Sequence, residues 1–169
     1  TPFGRFTGPM PCPSTQQAPS HLLPAIGWSL GLLILVTTAR AATFTVGTFG
    51  ACTHAGLQAA LEAAAANGPG YDEIRLSQDQ IGSFAIDGHS VGIVGGYSDC
   101  SDISPSGGTV LSGGGLGRVL TIAGGVSSFR TVDLLHLEIS GGNTMYGAGL
   151  YISLKALVTL EDTAISGNV

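Results

Sequence analysis

Acids, histidines and cysteines are the residues of this 169-residue chain whose types and spacing bear on chemistry. Cleaving a sugar polymer on a strand-built scaffold takes a pair of carboxylates, or calcium with a base. Asp99 and Asp102 flank Cys100 closely enough to share a cation, but their Ser/Asp/Gly-rich surroundings read as a solvated loop. Asp87-Gly88-His89 sets an acid and a base in one turn. Asp-Gly is equally among the commonest turn signals, so turn chemistry is the reading taken. Asp133, Glu138, Glu161 and Asp162 fall at outward or corner positions, where acids keep a strand face wet; Glu138 is the one placed to line a shallow groove. His136 reads as a solvated corner residue, with no second His and no acid at a recognisable spacing. No Gly-x-Ser-x-Gly elbow and no Gly-Lys-Ser/Thr occurs, and Gly113 to Gly117 is a turn run outside any βαβ unit. No residue is therefore assigned a catalytic, cofactor-binding or metal-binding role, and no cofactor is expected.

The cysteines point to a cross-link. Cys52 and Cys100 form an even pair once Cys12, in the leading segment, is set aside. His54 lies near Cys52, but no second Cys/His pair follows at zinc spacing, so a disulfide is expected over a metal. Closing that loop in an oxidising compartment contributes about 4 kcal/mol by restricting the unfolded chain.

The leading segment, 1–41, reads as an address. An apolar run from Ile26 to Val36 is too short to span a bilayer, and Ala39-Arg40-Ala41 fits a small-residue cleavage site. Cleavage is expected between Ala41 and Ala42. What remains has Arg75, Arg118, Arg130 and Lys155 against all 11 acids, an excess of seven negative charges. Without a cationic patch to displace counterions from phosphates, a nucleic-acid partner is not expected. Membrane contact is expected only through the targeting segment or a C-terminal anchor beyond this sequence.

The rest must position whatever surface does the work. Charged residues are only 10% of the chain, while 27 positions are Gly and 44% are hydrophobic, which excludes a charged disordered tail. Residues 42–70 hold a first strand, Thr43 to Val46, and a helix over Ala55 to Ala66 with Thr53 as N-cap. Leu57, Ala60, Leu61 and Ala64 give that helix one apolar face, and Asn67-Gly68-Pro69-Gly70 stops it. Residues 71–169 show no helical period and a recurring motif: aliphatic or Thr, any residue, Ile, small, Gly, then Gly or Asn. It ends in Gly95-Gly96, Gly124-Gly125, Gly141-Gly142 and Gly167-Asn168. Val132 to Gly141 overlies Val158 to Gly167 with a period of 26, and the four Ile residues, 93, 122, 139 and 165, stand 29, 17 and 26 apart.

Alternating apolar positions give each short strand one buried face, and the glycine pairs supply positive φ at sharp corners. Asn143 and Asn168, beside corner glycines, are expected to form a structural ladder of side-chain amides. One coil cannot bury its own face, but stacked coils can. The pattern predicts an all-β, right-handed parallel β-helix whose open end is covered by the N-terminal helix. An antiparallel sandwich is the competing fold, but it requires no motif at near-coil spacing.

Several segments carry a resemblance: Thr43 to Val46, Cys52-Thr53 before Leu57 to Leu61, Asp72 to Leu76, Gly95 to Cys100, Thr109 to Gly113, Tyr146 to Tyr151, and Ile165 to Asn168. Together they resemble the pectin-lyase-like β-helix proteins of bacterial envelopes, with degenerate polymorphic-outer-membrane-type repeats. Gly147-Ala148-Gly149-Leu150 is similar to that family's Gly-Gly-Ala-Ile motif, and Ile165 to Asn168 to its Phe-x-x-Asn motif. The resemblance implies an exported chain, extracellular or at the cell surface or outer membrane, with more coils after Val169. It implies a structural or adhesin-like passenger that contacts glycans or surface proteins. The enzymes of this fold carry Asp-Asp pairs, Gly-His-Gly or Arg-x-Pro-x-x-Arg, and none is present. The alternative is an extracellular polysaccharide lyase or hydrolase with its site on coils beyond residue 169.

Cleavage and cross-link are read together by intact mass. The exported protein is expected to start at Ala42 and to gain two hydrogens on reduction. An unshifted mass would remove the disulfide, and a mass retaining residues before Ala42 would remove the cleavage site.

Overall fold

Strands form where apolar residues alternate, because only then does a pleated segment turn one face from water. A computed structural model describes residues 40–169, so the targeting segment, apart from Arg40 and Ala41, lies outside the described residues. The elements are β1 (Thr43–Val46), α1 (Leu57–Ala66), β2 (Tyr71–Leu76), β3 (Gln80–Ile81), β4 (Phe84–Asp87), β5 (Ser90–Val94), β6 (Thr109–Ser112) and β7 (Leu120–Ala123). They continue with β8 (Arg130–Leu135), β9 (Leu137–Ser140), β10 (Leu150–Ser153), β11 (Ala156–Glu161) and β12 (Ala164–Ile165). None of the helices in the described residues is long and apolar enough to cross a membrane.

All nine strand pairings among the described residues are parallel, which removes the antiparallel sandwich. Three sheets result, ordered β1-β2-β5-β8-β11, β3-β6-β9-β12 and β4-β7-β10, and none closes into a barrel. The chain visits them in rotation: β2, β3 and β4 fall one to each sheet, as do β5, β6 and β7, then β8, β9 and β10.

Register puts like on like. Ile74 pairs with Ile93, Ile93 with Leu134, and Leu134 with Leu160. In the other sheets Leu111, Ile139 and Ile165 line up, as do Ile86, Ile122 and Ile152. Through most of their length these ladders are sealed: Ile74, Ile93, Leu111, Ile122, Leu134 and Ile139 are fully buried in one cluster. The last rung is open, because Ile152, Leu160 and Ile165 are roughly half exposed.

The recurring Ile motif does not mark one coil per copy. Ile93, Ile122 and Ile139 sit in three different sheets, which explains the uneven 29- and 17-residue spacings. Only the 26-residue step from Ile139 to Ile165 stays within one sheet. The corner glycines also divide their labour. Gly96, Gly141 and Gly167 take positive φ, whereas Gly95, Gly124, Gly125 and Gly142 do not. At Gly142 a side chain would run into the carbonyl of Ala148, so close backbone approach is what requires glycine there. Among the described residues, three left-handed positions are filled by non-glycine residues: His136, Leu154 and Asp162.

The helix is shorter than the sequence suggests. It starts at Leu57 behind Gly56, and Thr53 does not cap it. Thr53 Oγ1 instead accepts from Thr45 N–H and donates to the Thr45 carbonyl, tying the loop to β1. The orphan N–H of Leu57 is met from outside the helix by Gln80 Oε1 at 3.0 Å. Leu57, Ala60, Leu61 and Ala64 are its buried face, set against β1, β2 and β4.

The ladders predict an uneven response to truncation. Ile139→Ala is expected to cost about 2–5 kcal/mol in urea unfolding, as for other buried large-to-small changes. Ile165→Ala, at the half-exposed rung, is expected to cost less than about 1 kcal/mol. Equal costs would show that the two rungs are equally sealed.

Candidate functional site

The depression that gathers polar side chains lies where the corner before β9 meets the outer side of the β6-β9-β12 sheet. Its volume is about 380 Å³, and Gly107, Gly108, Thr109, His136, Glu138 and Asp162 are on its walls. Register builds it. The β11–β8 pairing ends at Leu135 and Glu161, where His136 N–H donates to the Glu161 carbonyl at 3.1 Å, so Asp162 falls beside His136, and both occupy left-handed corner positions. Aspartate tolerates that backbone better than most residues.

His136 Nδ1 lies 3.6 Å from Asp162 Oδ2, and the Asp162 side chain is largely exposed. Such a pair acts through charge only when the imidazole is protonated, and water screens it. Glu138 projects outward from β9, where Ser166 Oγ donates to its Oε1 at 3.4 Å. Thr109 is committed inward: its Oγ1 accepts from Gly96 N–H at 2.8 Å. The result is an open, acidic depression with one imidazole and two carboxylates, able to accept hydrogen bonds from hydroxyl or ammonium groups. Among the described residues no group of three or more His, Cys, Asp or Glu could hold a metal ion.

The other sequence candidates are tied into their own loops. Asp102 Oδ2 accepts from the N–H groups of Ser98 and Asp99. Ser101 donates to Asp99 through both its hydroxyl and its backbone, which holds the Asp99 carboxyl below the usual carboxylate range. His89 is buried with Nδ1 on the Asp87 carbonyl at 3.1 Å, and Gly88 makes the turn with φ +68°. Glu161 is exposed at the edge of β11. The two asparagines do not form a ladder. Asn168 Oδ1 accepts from Gly142 N–H and its Nδ2 donates to the Ile139 carbonyl, while Asn143 is exposed and bonds through its backbone to Gly117.

Cys52 and Cys100 are joined, with Cα atoms 5.1 Å apart, and link the loop after β1 to the loop after β5. The bridge packs on Gly47, where an added Cβ would lie 2.9 Å from Cys52 Sγ.

Two features had no place in the sequence reading. One is the acid beside His136: it is not near in sequence, but the 26-residue alignment sets Asp162 over it. Arg118 packs on the Tyr151 ring, 4.4 Å from the centroid, and donates to the carbonyls of Tyr146 and Gly147. The spacing of Arg118 carries no sign of this, because its contacts run from the loop before β7 to the loop before β10 and to Tyr151 on β10.

Across the outer face of the first sheet, Tyr71 reaches over Gly92 to donate to Asp133 Oδ2 at 2.7 Å. A side chain at Gly92 would occupy the place of that hydroxyl. Burial, then the hydrogen bond and charge of Asp133, push the Tyr71 phenol well above its ordinary value. The neutral phenol is thus favoured in the folded state. Its contribution is present in full below the unfolded value, about pH 10, and is lost as pH rises beyond it. Alkaline urea titration is expected to show stability falling above about pH 10, and Tyr71→Phe to blunt the fall; a profile unchanged by Tyr71→Phe would assign the fall elsewhere.

Comparison of the chain with family models, curated proteins and solved structures gave no significant match.

Proposed function

We propose that the chain forms an exported, right-handed parallel β-helix that acts at the cell surface or outside the cell as a non-catalytic passenger. In this reading residues 1–41 are removed between Ala41 and Ala42, and α1 covers the first turn of the helix. The observation that carries it is the rotation of the chain through three all-parallel sheets with ladders in register. A parallel connection within a sheet is right-handed in nearly every known case, which supplies the hand. The disulfide favours an oxidising compartment.

The lateral depression at His136, Glu138 and Asp162 is the contact surface in this proposal. Its carboxylates and the acidic balance of the chain disfavour anionic polymers such as pectate. Neutral glycans or amino sugars fit better, held weakly and repeatedly along a lateral face. Glycan contact does not require chemistry, and the open, wet geometry offers none of the exclusion of water on which catalysis leans.

The runner-up is an extracellular polysaccharide lyase or hydrolase whose catalytic groups are not those of this depression. One assay separates the two. The protein is incubated with neutral, amino-sugar and acidic polysaccharides, and both retention and sugar release are followed. Binding to neutral or amino-sugar polymers is expected, weakened about tenfold by Glu138→Gln with Asp162→Asn, and without released products. Product release that survives Glu138→Gln with Asp162→Asn would establish the enzyme instead.

A further inference from the structure

Asp72 is an acid on an inward position of β2, where the alternation calls for an apolar side chain. It is only 1% exposed. Its Oδ1 accepts two hydrogen bonds, from Ala42 N–H at 2.8 Å and from Asn67 Nδ2 at 2.8 Å. Its Oδ2 is buried and finds no donor among the described residues. A buried carboxylate with half its acceptors unmet is costly unless a cation is supplied.

The residue donating to it is Ala42, the first residue after the expected cleavage point. We propose that the Asp72–Asn67 pocket is a binding site for the chain's own new α-ammonium at Ala42, formed when the leader is removed. The inference rests on the cleavage after Ala41 put forward above. Hydrolysis of the Ala41–Ala42 peptide consumes one water and leaves a carboxylate on Ala41 and an amine on Ala42, which takes a proton at neutral pH. One N–H donor becomes three and acquires a positive charge beside the unmet Oδ2.

Position is retained because Ala42 is anchored independently of what precedes it. Its carbonyl accepts from Glu73 N–H at 2.9 Å, and Thr43 onward pairs with β2. Asn67 Nδ2, which before cleavage also donates to the Arg40 carbonyl at 2.7 Å, is left to Asp72 alone. Cleavage thereby exchanges a buried carboxylate held by neutral donors for a charge-assisted pair. The mature chain is the better-satisfied one.

The test uses the full chain with a specific protease recognition sequence placed directly before Ala42, folded and then cut, with the new terminus verified by mass. Cutting is expected to raise the folding equilibrium constant, read from urea unfolding, by about tenfold or more. The gain is expected to vanish in Asp72→Asn. Should that variant fail to fold, acetylation of the Ala42 amine decides. In the folded protein it is expected to be about tenfold slower than in urea, with Lys155→Arg removing the competing lysine. A gain that survives Asp72→Asn, or an amine that reacts equally fast in both states, would overturn the site. The terminus of the naturally exported protein is a separate measurement: a start other than Ala42 would remove the cleavage while leaving the result on the cut chain to stand.

Discussion

Everything in this molecule depends on backbone pairing between circuits of the chain. A parallel strand cannot meet its hydrogen bonds within its own circuit, so each strand is satisfied only by the strands of the circuits on either side. Parallel pairing also sets residue over residue. Once Ile74 lies against Ile93 and Ile93 against Leu134, the inward side is aliphatic along these ladders and most polar residues are sent outward, with Asp72 and Thr109 as buried exceptions. The register is therefore the common origin of the sealed core and of the outer polar features. It puts Asp162 beside His136 as surely as it puts Leu160 beside Leu134.

The first sheet gains a strand that does not belong to the rotation. β1 lies at the edge of its sheet beside β2, with a single bridge from Val46 to His54 on its other side, and the disulfide-linked loop and the helix follow at once. This end is held by unlike devices: an apolar helix face, the Gln80 cap on Leu57, the Cys52–Cys100 bridge, and Asp72 with its donors. Each replaces something the pairing alone does not provide there.

Alternation and helical period were legible in the sequence because they are local. Val132-x-Leu134, Leu137-x-Ile139 and the Leu57-Ala60-Leu61-Ala64 face need only neighbouring residues to be read. The parallel sheets followed from a motif that returns, although that motif misled on where each copy sits. Its Ile and small residues suit any inward strand leading to a corner, so Ile93, Ile122 and Ile139 looked equivalent while lying in three sheets. Contacts across circuits were harder to see, since loops of unequal length between strands hide which residues become neighbours. Gln80 on Leu57 and Tyr71 on Asp133 join residues 23 and 62 apart and have no periodic signature. Thr53 was read as a cap because its type suits one, but its hydroxyl had a nearer use on Thr45. The depression around His136 was half legible. The 26-residue alignment contains it, but Asp162 is 26 residues from His136 and becomes its neighbour only through the β8–β11 pairing.

The placement of the disulfide has a mechanical consequence. Tension applied across the stacked strands loads the hydrogen bonds of one interface at a time, as in a zipper. At the β11 side nothing covalent interrupts that sequence among the described residues. At the other side, Cys52 and Cys100 close a loop that holds α1 and β2 to β5, so the β2–β5 interface is shielded from tension on the chain ends, whereas β1 precedes Cys52 and stays outside that loop. Pulled from both ends, the molecule yields at its outer strands, and rupture stops at the loop that the Cys52–Cys100 bridge closes.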